Sequence, residues 1–152
     1  MKKIKLPVPA QDLIPHRKTM LLIETLLAYD REAGVGTILG GSKSGSVFAV
    51  EDAKEVGSVV EEVVLLEMMA QAYACLRGYE DRLAGRPPGM GFLVGVRHFV
   101  CHRRVGVSEE VVINVATTVQ IESFFLAEAT VKVVHETVAQ AELKIWLPPN
   151  EG

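Results

Sequence analysis

Hydrophobic and polar positions divide this chain into three stretches. Before residue 50 the pattern predicts a short helical or turn segment at 11–14, followed by strands at 20–29 and 35–39. The second stretch, about residues 60–83, is apolar, has the length of a helix and is followed by glycines and prolines that end it. In the third stretch, segments rich in Val, Ile, Thr and Phe predict four strands, at 92–101, 111–121, 124–134 and 138–147.

Alternation along the last two predicted strands indicates that one face of the sheet is buried. The residues on that face are Phe125, Ala127, Ala129, Val131 and Val133 in one strand and Ala139, Ala141, Leu143, Ile145 and Leu147 in the other. Short connections demand antiparallel pairing, and the long helix is the only predicted element that covers a sheet of this size. The pattern therefore predicts an α+β fold, a single domain over residues 1–152 in which an antiparallel sheet wraps around one central helix.

Two polar side chains interrupt the most apolar part of the predicted helix. Glu67 and Gln71 are four residues apart, so they lie on one face. Burial of a carboxylate without partners raises its pKa, and carboxylates with a raised pKa act as general acids and bases. Glu67 is therefore the leading catalytic candidate. The alternative is an amphipathic helix with both residues at a wet edge or in a salt bridge across an oligomer interface.

Composition and charge exclude several classes of function. A chain of 152 residues is long enough for one well-buried core, and its net charge of −3 gives no attraction to nucleic acid or anionic membranes. We expect no membrane span, because Glu67 and Gln71 interrupt the longest apolar run. The basic start runs into Pro7 and Pro9 without the apolar core of a signal peptide. The two cysteines form no recognisable disulfide framework, which fits a reducing cytoplasm.

The remaining motifs predict neither a metal site nor a cofactor. His98, Cys101 and His102 fall in a predicted strand, where the two histidines are about 13 Å apart and too distant for one metal ion. Glycines at 34, 36, 40 and 41 lack the strand-loop-helix context of a dinucleotide loop and are predicted as turns or bulges. His135, at a predicted hairpin turn, is assigned no role.

Three segments, in order along most of the chain, resemble one enzyme family. Residues 13–23, Leu-Ile-Pro-His-Arg-Lys-Thr-Met-Leu-Leu-Ile, are similar to the Leu-Pro-His-Arg opening of 3-hydroxyacyl-[acyl-carrier-protein] dehydratases. Residues 63–71 resemble their central helix, and 91–97, Gly-Phe-Leu-Val-Gly-Val-Arg, resemble the following strand in the divergent aryl-polyene branch. The resemblance implies a hot-dog fold with residues 60–84 as the central helix, and acyl thioesters on acyl carrier protein or coenzyme A as substrates.

The resemblance also assigns roles to residues and predicts an assembly. The central-helix Glu is catalytic in the family, which implies a catalytic Glu67, and the implied substrate-binding residues are Gln71, Val63 and Gly95. A homodimer or larger homo-oligomer is expected, or a hetero-oligomer with another hot-dog subunit. Backbone N–H groups at the helix start, residues 62–64, are candidates to hold the thioester oxygen.

One departure from the family concerns its catalytic histidine. The expected position falls near Ala53, and no histidine lies in residues 17–97. Because the family builds its His-Glu pair across a dimer interface, the histidine either comes from a different subunit or is replaced by another group. His16, in the matching N-terminal motif, is the best internal substitute and the second catalytic candidate. The alternative is a turn histidine that packs the N-terminal segment onto the sheet.

A basic cluster is the remaining feature with candidate chemistry. It consists of Arg97, His98, His102, Arg103 and Arg104. The cluster can receive the phosphate of a phosphopantetheine arm or an acidic carrier protein, or it is a strand end exposed to water.

Three functions are compatible with the whole sequence. In order of preference they are a dehydratase, a hot-dog acyl thioesterase, and a non-catalytic acyl-carrier-binding subunit that pairs with an active dehydratase.

Overall fold

The computed structural model describes residues 4–17, 20–41, 49–51 and 58–149. Within them, the one α-helix, α1, spans Glu62–Leu83, and a 3₁₀ turn spans Ala10–Asp12. The strands, in chain order, are β1 (Val8–Pro9), β2 (Ile23–Asp30), β3 (Val35–Gly40), β4 (Ala49–Glu51), β5 (Ser58–Val60), β6 (Phe92–Cys101), β7 (Val105–Gly106), β8 (Val111–Ile121), β9 (Phe124–Val133) and β10 (Glu136–Trp146).

Seven of these strands form one antiparallel sheet in the order β1-β2-β3-β8-β9-β10-β6, and β4, β5 and β7 form a second, small sheet. The predicted antiparallel sheet around one long helix is therefore confirmed, and the predicted bounds agree to within three residues. The pattern missed β1, β4, β5 and β7 because strands of two or three residues are too short to show alternation. In the part of the chain described here, no helix has the length and apolar character needed to cross a membrane.

The core lies between α1 and one face of the large sheet. The alternating residues of β9 and β10 that were predicted to face inward are buried, with Leu147 half-buried just beyond β10. A Cβ atom on Gly40 would lie 2.7 Å from the Met68 side chain and 2.4 Å from that of Val111, so this glycine lets the helix approach the sheet closely. The prediction of turn or bulge glycines is correct for Gly34, which has a φ of +67°, and for Gly40, which lies where the register between β2 and β3 shifts; it is wrong for Gly36, which lies in regular β3.

The core packing leads to a prediction about stability. Met69 has no exposed surface, whereas Leu66 on the same helix is only half-buried. We expect Met69→Ala to lower the free energy of unfolding by roughly 2 to 5 kcal/mol, because it leaves a cavity in a packed core. Urea denaturation measures this loss, and Leu66→Ala, which removes a similar volume, should cost clearly less. Equal costs would contradict this description of the core.

Strand β6 lies at one edge of the large sheet, hydrogen-bonded to β10 on its other side. It carries a row of exposed apolar side chains, Phe92, Leu93, Val94, Val96 and Val100. A change of register opposite Gln140 and Glu142 produces a bulge, at which His98 has a φ of +54°. An exposed apolar edge strand is a surface for pairing with another chain.

Candidate active site

Glu67 and Gln71 lie on the side of α1 that faces the N-terminal segment. Gln71 is buried, but the Glu67 side chain retains 45% of its surface exposed in the single chain. Glu67 is therefore not a fully buried carboxylate: it lies at a wet edge of the helix, as the alternative interpretation allowed, whereas Gln71 does not. Its i+3 and i+7 neighbours are Ala70 and Ala74, and these small residues leave one face of the helix open.

The Gln71 amide joins the helix to the segment before β2. Its Oε1 accepts a hydrogen bond of 2.9 Å from the Leu22 backbone N–H, and its Nε2 donates to the Met20 carbonyl oxygen at 2.8 Å and to Glu67 Oε1 at 3.0 Å. These contacts fix which end of the amide faces the carboxylate. Because Glu67 Oε1 faces an N–H donor, a proton carried by Glu67 resides on Oε2.

The N-terminal strap, residues 4–16, lies against α1, with Ile4, Asp12 and Leu13 beside its C-terminal half. Tyr79 Oη donates to the Ile4 carbonyl oxygen at 3.4 Å, and the Arg82 guanidinium donates to the Asp12 carbonyl oxygen. At Gly78 the two backbones touch, since a Cβ atom there would lie 2.6 Å from the carbonyl oxygen of Leu13. A glycine on the helix therefore sets how closely the strap approaches.

The strap ends with His16 beside Glu67. His16 Nε2 lies 3.8 Å from Glu67 Oε1, a distance that one bridging water spans or a small rotation closes. Among the described residues, His16 Nδ1 is buried and has no hydrogen-bond partner. The tautomer with its proton on Nε2 leaves no buried N–H unsatisfied and directs that N–H toward Glu67.

The Glu67 cavity, of about 210 Å³, opens beside this pair. It is lined by Leu13, Ile14, Pro15, His16, Glu67, Ala70, Gln71, Tyr73, Ala74, Arg77, Gly78, Pro88, Gly89, Gly91, Leu93, Ile145 and Leu147. Burial raises the pKa of the Tyr73 phenol, which shares a hydrogen bond of 2.7 Å with Thr117 Oγ1. The cavity is thus an apolar groove with a carboxylate, an imidazole and an amide at one end.

Not every residue predicted for the site lies at this cavity. His16, Glu67 and Gln71 line it together, whereas Val63 is exposed in the first turn of α1 and Gly95 lies in β6 next to Lys144. The start of α1 is not part of its lining, and the Val64 N–H there donates to the Glu61 carbonyl oxygen. The expected position of the family histidine, near Ala53, lies outside the described residues.

The basic cluster is held by carboxylates. The Arg103 guanidinium binds Glu109 Oε1 at 2.9 Å and Glu136 Oε2 at 3.1 Å, and Arg97 lies 3.6 Å from Glu142. The hydrogen bonds with Glu109 raise the pKa of Arg103, and the same contacts lower the pKa of Glu109. The Arg103 ion pairs tie the loop after β6 to its neighbours, and the Arg97–Glu142 pair links β6 to β10. Over the residues described, no three His, Cys, Asp or Glu side chains are grouped as metal ligands.

Comparison with known proteins places the chain in a family. A family model described as ApeP dehydratase, ApeP-like, matches residues 8–152. The chain belongs to the ApeP-like dehydratase family. The resemblance to a divergent dehydratase family that the sequence indicated is thereby confirmed.

Individual relatives agree with the family and the fold. The 3-hydroxyacyl-[acyl-carrier-protein] dehydratase FabZ of Burkholderia lata is 26% identical over 131 residues, 86% of this chain and 83% of that enzyme. The dehydratase heterocomplex ApeI:P from Xenorhabdus doucetiae superposes with a TM-score of 0.81 at 19% identity, covering 94% of this chain and 93% of that one. A thioesterase-like phenylacetic acid degradation-related protein from Ralstonia eutropha gives a TM-score of 0.60 at 14% identity, over 80% and 82% of the two chains. The fold of this chain is the hot-dog fold.

Two features of the site were not found from the sequence. The contact between Gly78 and the strap joins residues far apart in the chain, and a glycine inside a helix gives no signal of what it touches. Arg77, with its guanidinium 4.7 Å from the centre of the Phe125 ring, lines the far end of the Glu67 cavity. The sequence contained one indication that Arg77 belongs to the cavity, namely its position ten residues after Glu67 on the same predicted helix.

Proposed function

We propose that this chain is a dehydratase subunit that removes water from 3-hydroxyacyl thioesters on acyl carrier protein, with Glu67 as the acid. The observation that carries the proposal is Glu67 at the end of an apolar cavity, oriented by Gln71 and His16. Membership in the ApeP-like dehydratase family and the relationship to FabZ support the reaction and the carrier. Its two free cysteines, Cys75 and Cys101, support a reducing, cytoplasmic location.

The reaction requires two proton transfers. A base takes a proton from the carbon next to the thioester carbonyl, and that electron pair forms the new double bond as the bond to the β-hydroxyl breaks. Glu67 Oε2 gives its proton to the departing hydroxyl, so the products are an enoyl thioester and water. Return of the proton from the base to Glu67 restores the starting state.

We assign the base to an imidazole of a partner hot-dog subunit that pairs along the β6 edge. Leu93 of this edge also lines the Glu67 cavity, so a chain paired there lies beside the site. The ApeI:P heterocomplex, whose chain shares this fold, supports a second, different subunit. In this arrangement His16 and Gln71 are positioning residues that hold Glu67.

A second mechanism places the base on His16 itself. Its support is the distance of 3.8 Å between His16 Nε2 and Glu67 Oε1. It requires a proton on the buried Nδ1, for which the described residues offer no acceptor. For this reason we rank it below the two-subunit mechanism.

Mixing subunits distinguishes these mechanisms. The full chain is assayed with 3-hydroxyacyl and saturated acyl thioesters, alone and with a hot-dog protein encoded beside it. We expect enoyl product on mixing, and its loss when the partner's active-site histidine is changed to asparagine. Activity of the chain alone that disappears in His16→Asn would instead establish the second mechanism. Hydrolysis of saturated thioesters without dehydration would establish a thioesterase and overturn the proposal.

The β6 edge is tested by a matched pair of variants. Val94→Asp places a charge in the exposed apolar row of β6, and Val134→Asp places one at a turn valine that is 81% exposed. We expect only Val94→Asp to abolish the complex in light scattering and the activity that depends on it. If both variants assemble normally, the subunits pair elsewhere.

A further inference from the structure

A second cavity continues the line of the Glu67 cavity along α1. This distal cavity, of about 190 Å³, is lined by Arg77, Asp81, Arg86, Pro87, Gly89, Glu122, Ser123, Phe125, Leu147 and Pro148. Arg77, Gly89 and Leu147 line both cavities, so they form the partition between them. Each cavity alone is smaller than the roughly 300–1,000 Å³ of ordinary ligand sites, whereas the two joined fall within that range.

The groove between Glu67 and the partition has the shape that an extended apolar tail needs. Ten residues separate Glu67 from Arg77, which corresponds to about 15 Å along the helix. Ala70 and Ala74 line the groove between them, and their small side chains leave its floor open. A tail whose reacting carbons lie at Glu67 therefore runs past the two alanines and ends against Arg77.

Arg77 is held across the groove by few contacts. Its guanidinium stacks over the Phe125 ring at 4.7 Å, and Nη1 lies 3.8 Å from Glu80 Oε1. Its Nε is buried and, among the described residues, has no hydrogen-bond partner. Burying an N–H group without a hydrogen-bond partner lowers the stability of the fold. This unsatisfied N–H lies at the point where Arg77 closes the groove.

The geometry points to Arg77 as the residue that limits the length of the acyl tail. This inference rests on the proposed function, because it takes the Glu67 cavity as the acyl site. The guanidinium closes the groove with a polar group that an alkyl tail cannot pass without displacing it. Tails that end before Arg77 are bound fully, and longer tails gain nothing from their additional carbons.

Binding of saturated acyl-pantetheine thioesters of increasing length, which have no β-hydroxyl to eliminate, tests the inference in the assembled protein. In the wild type, affinity should rise with each carbon and then reach a plateau. In Arg77→Ala the plateau should move to longer tails, with up to about a fourfold gain for each further methylene that packs against the apolar part of the distal cavity, Pro87, Phe125 and Leu147. Leu147→Ala widens the same partition without removing charge and should act in the same direction. Arg77→Lys should restore part of the limit, and Arg31→Ala, an exposed arginine in the β2–β3 turn, should match the wild type.

The outcomes separate this inference from the proposed function. A plateau at the same length in the wild type, Arg77→Ala and Leu147→Ala overturns the length limit, whatever the turnover. Affinity that does not depend on length in the wild type overturns it as well. A shifted plateau without dehydration of any 3-hydroxyacyl thioester supports the limit and refutes the dehydratase. Thermal denaturation of each variant identifies any that is unfolded, and either partition variant suffices for the test.

Discussion

Glu67→Gln should reduce dehydration of 3-hydroxyacyl thioesters by roughly 100- to 10,000-fold, the usual contribution of a general acid. The amide keeps the size of the side chain but has no proton to give to the departing hydroxyl. The fold should persist, because Glu67 is half-exposed and its amide oxygen can still accept the hydrogen bond from Gln71. The measurement is the rate of enoyl thioester formation in the assembled protein.

Glu62→Gln is the matched control for this prediction. Glu62 lies five residues earlier on α1, is exposed and does not line the Glu67 cavity. We expect it to retain the wild-type rate. If Glu67→Gln also retained that rate while binding the same thioesters, Glu67 would have a structural role and the acid would have to be sought elsewhere.

Gly78→Ala should destabilise the protein by about 1–3 kcal/mol and slow dehydration, because the new methyl group forces the strap away from α1. The sign of this change in stability shows whether the strap lies against Gly78. At a free position inside a helix the same substitution would stabilise by up to about 1 kcal/mol, since alanine favours helix more than glycine does. Here a Cβ atom would lie 2.6 Å from the Leu13 carbonyl oxygen, which cannot rotate aside as a side chain can.

Chemical denaturation and turnover of Gly78→Ala test this prediction together. Gly106→Ala is the control, because a Cβ atom there meets only Glu109 at an ordinary 3.5 Å. A more stable Gly78→Ala protein with normal turnover would mean that the strap does not lie against the helix in solution. His16 would then have no fixed position beside Glu67.

The sequence predicted the main elements of the fold and three residues that line the Glu67 cavity, Glu67, Gln71 and His16. Four long strands and a helix with a glycine-proline end carry strong periodic signals, and the spacing of Glu67 and Gln71 placed them on one face. Periodicity did not reveal that this face is half open, because alanine lines an open groove as readily as it lines a tight contact. The exposure of Glu67 depends on what lies opposite Ala70 and Ala74, which no local pattern specifies.

What the sequence could not supply is contacts between distant residues. The sequence left the cluster around Arg103 open between a phosphate site and an exposed strand end, and Glu136, 33 residues later in the chain, binds the Arg103 guanidinium. The motif at residues 13–23 indicates His16 as a candidate, but its distance from Glu67 depends on how the strap crosses Gly78. In both cases the sequence singled out a residue with candidate chemistry. Its contacts could not be predicted, because they involve residues that are distant in the chain.

The strap also has a consequence for the order in which the protein assembles. Tyr79 contacts Ile4 across 75 residues, and Arg82 contacts Asp12 across 70. During synthesis the strap leaves the ribosome long before the helical surface on which it rests exists, and contacts between such distant residues form slowly. His16 therefore reaches Glu67 only after more than half of the chain has been made. A tag fused directly ahead of residue 4 adjoins the segment that docks late, so placing a tag there bears directly on whether His16 reaches Glu67.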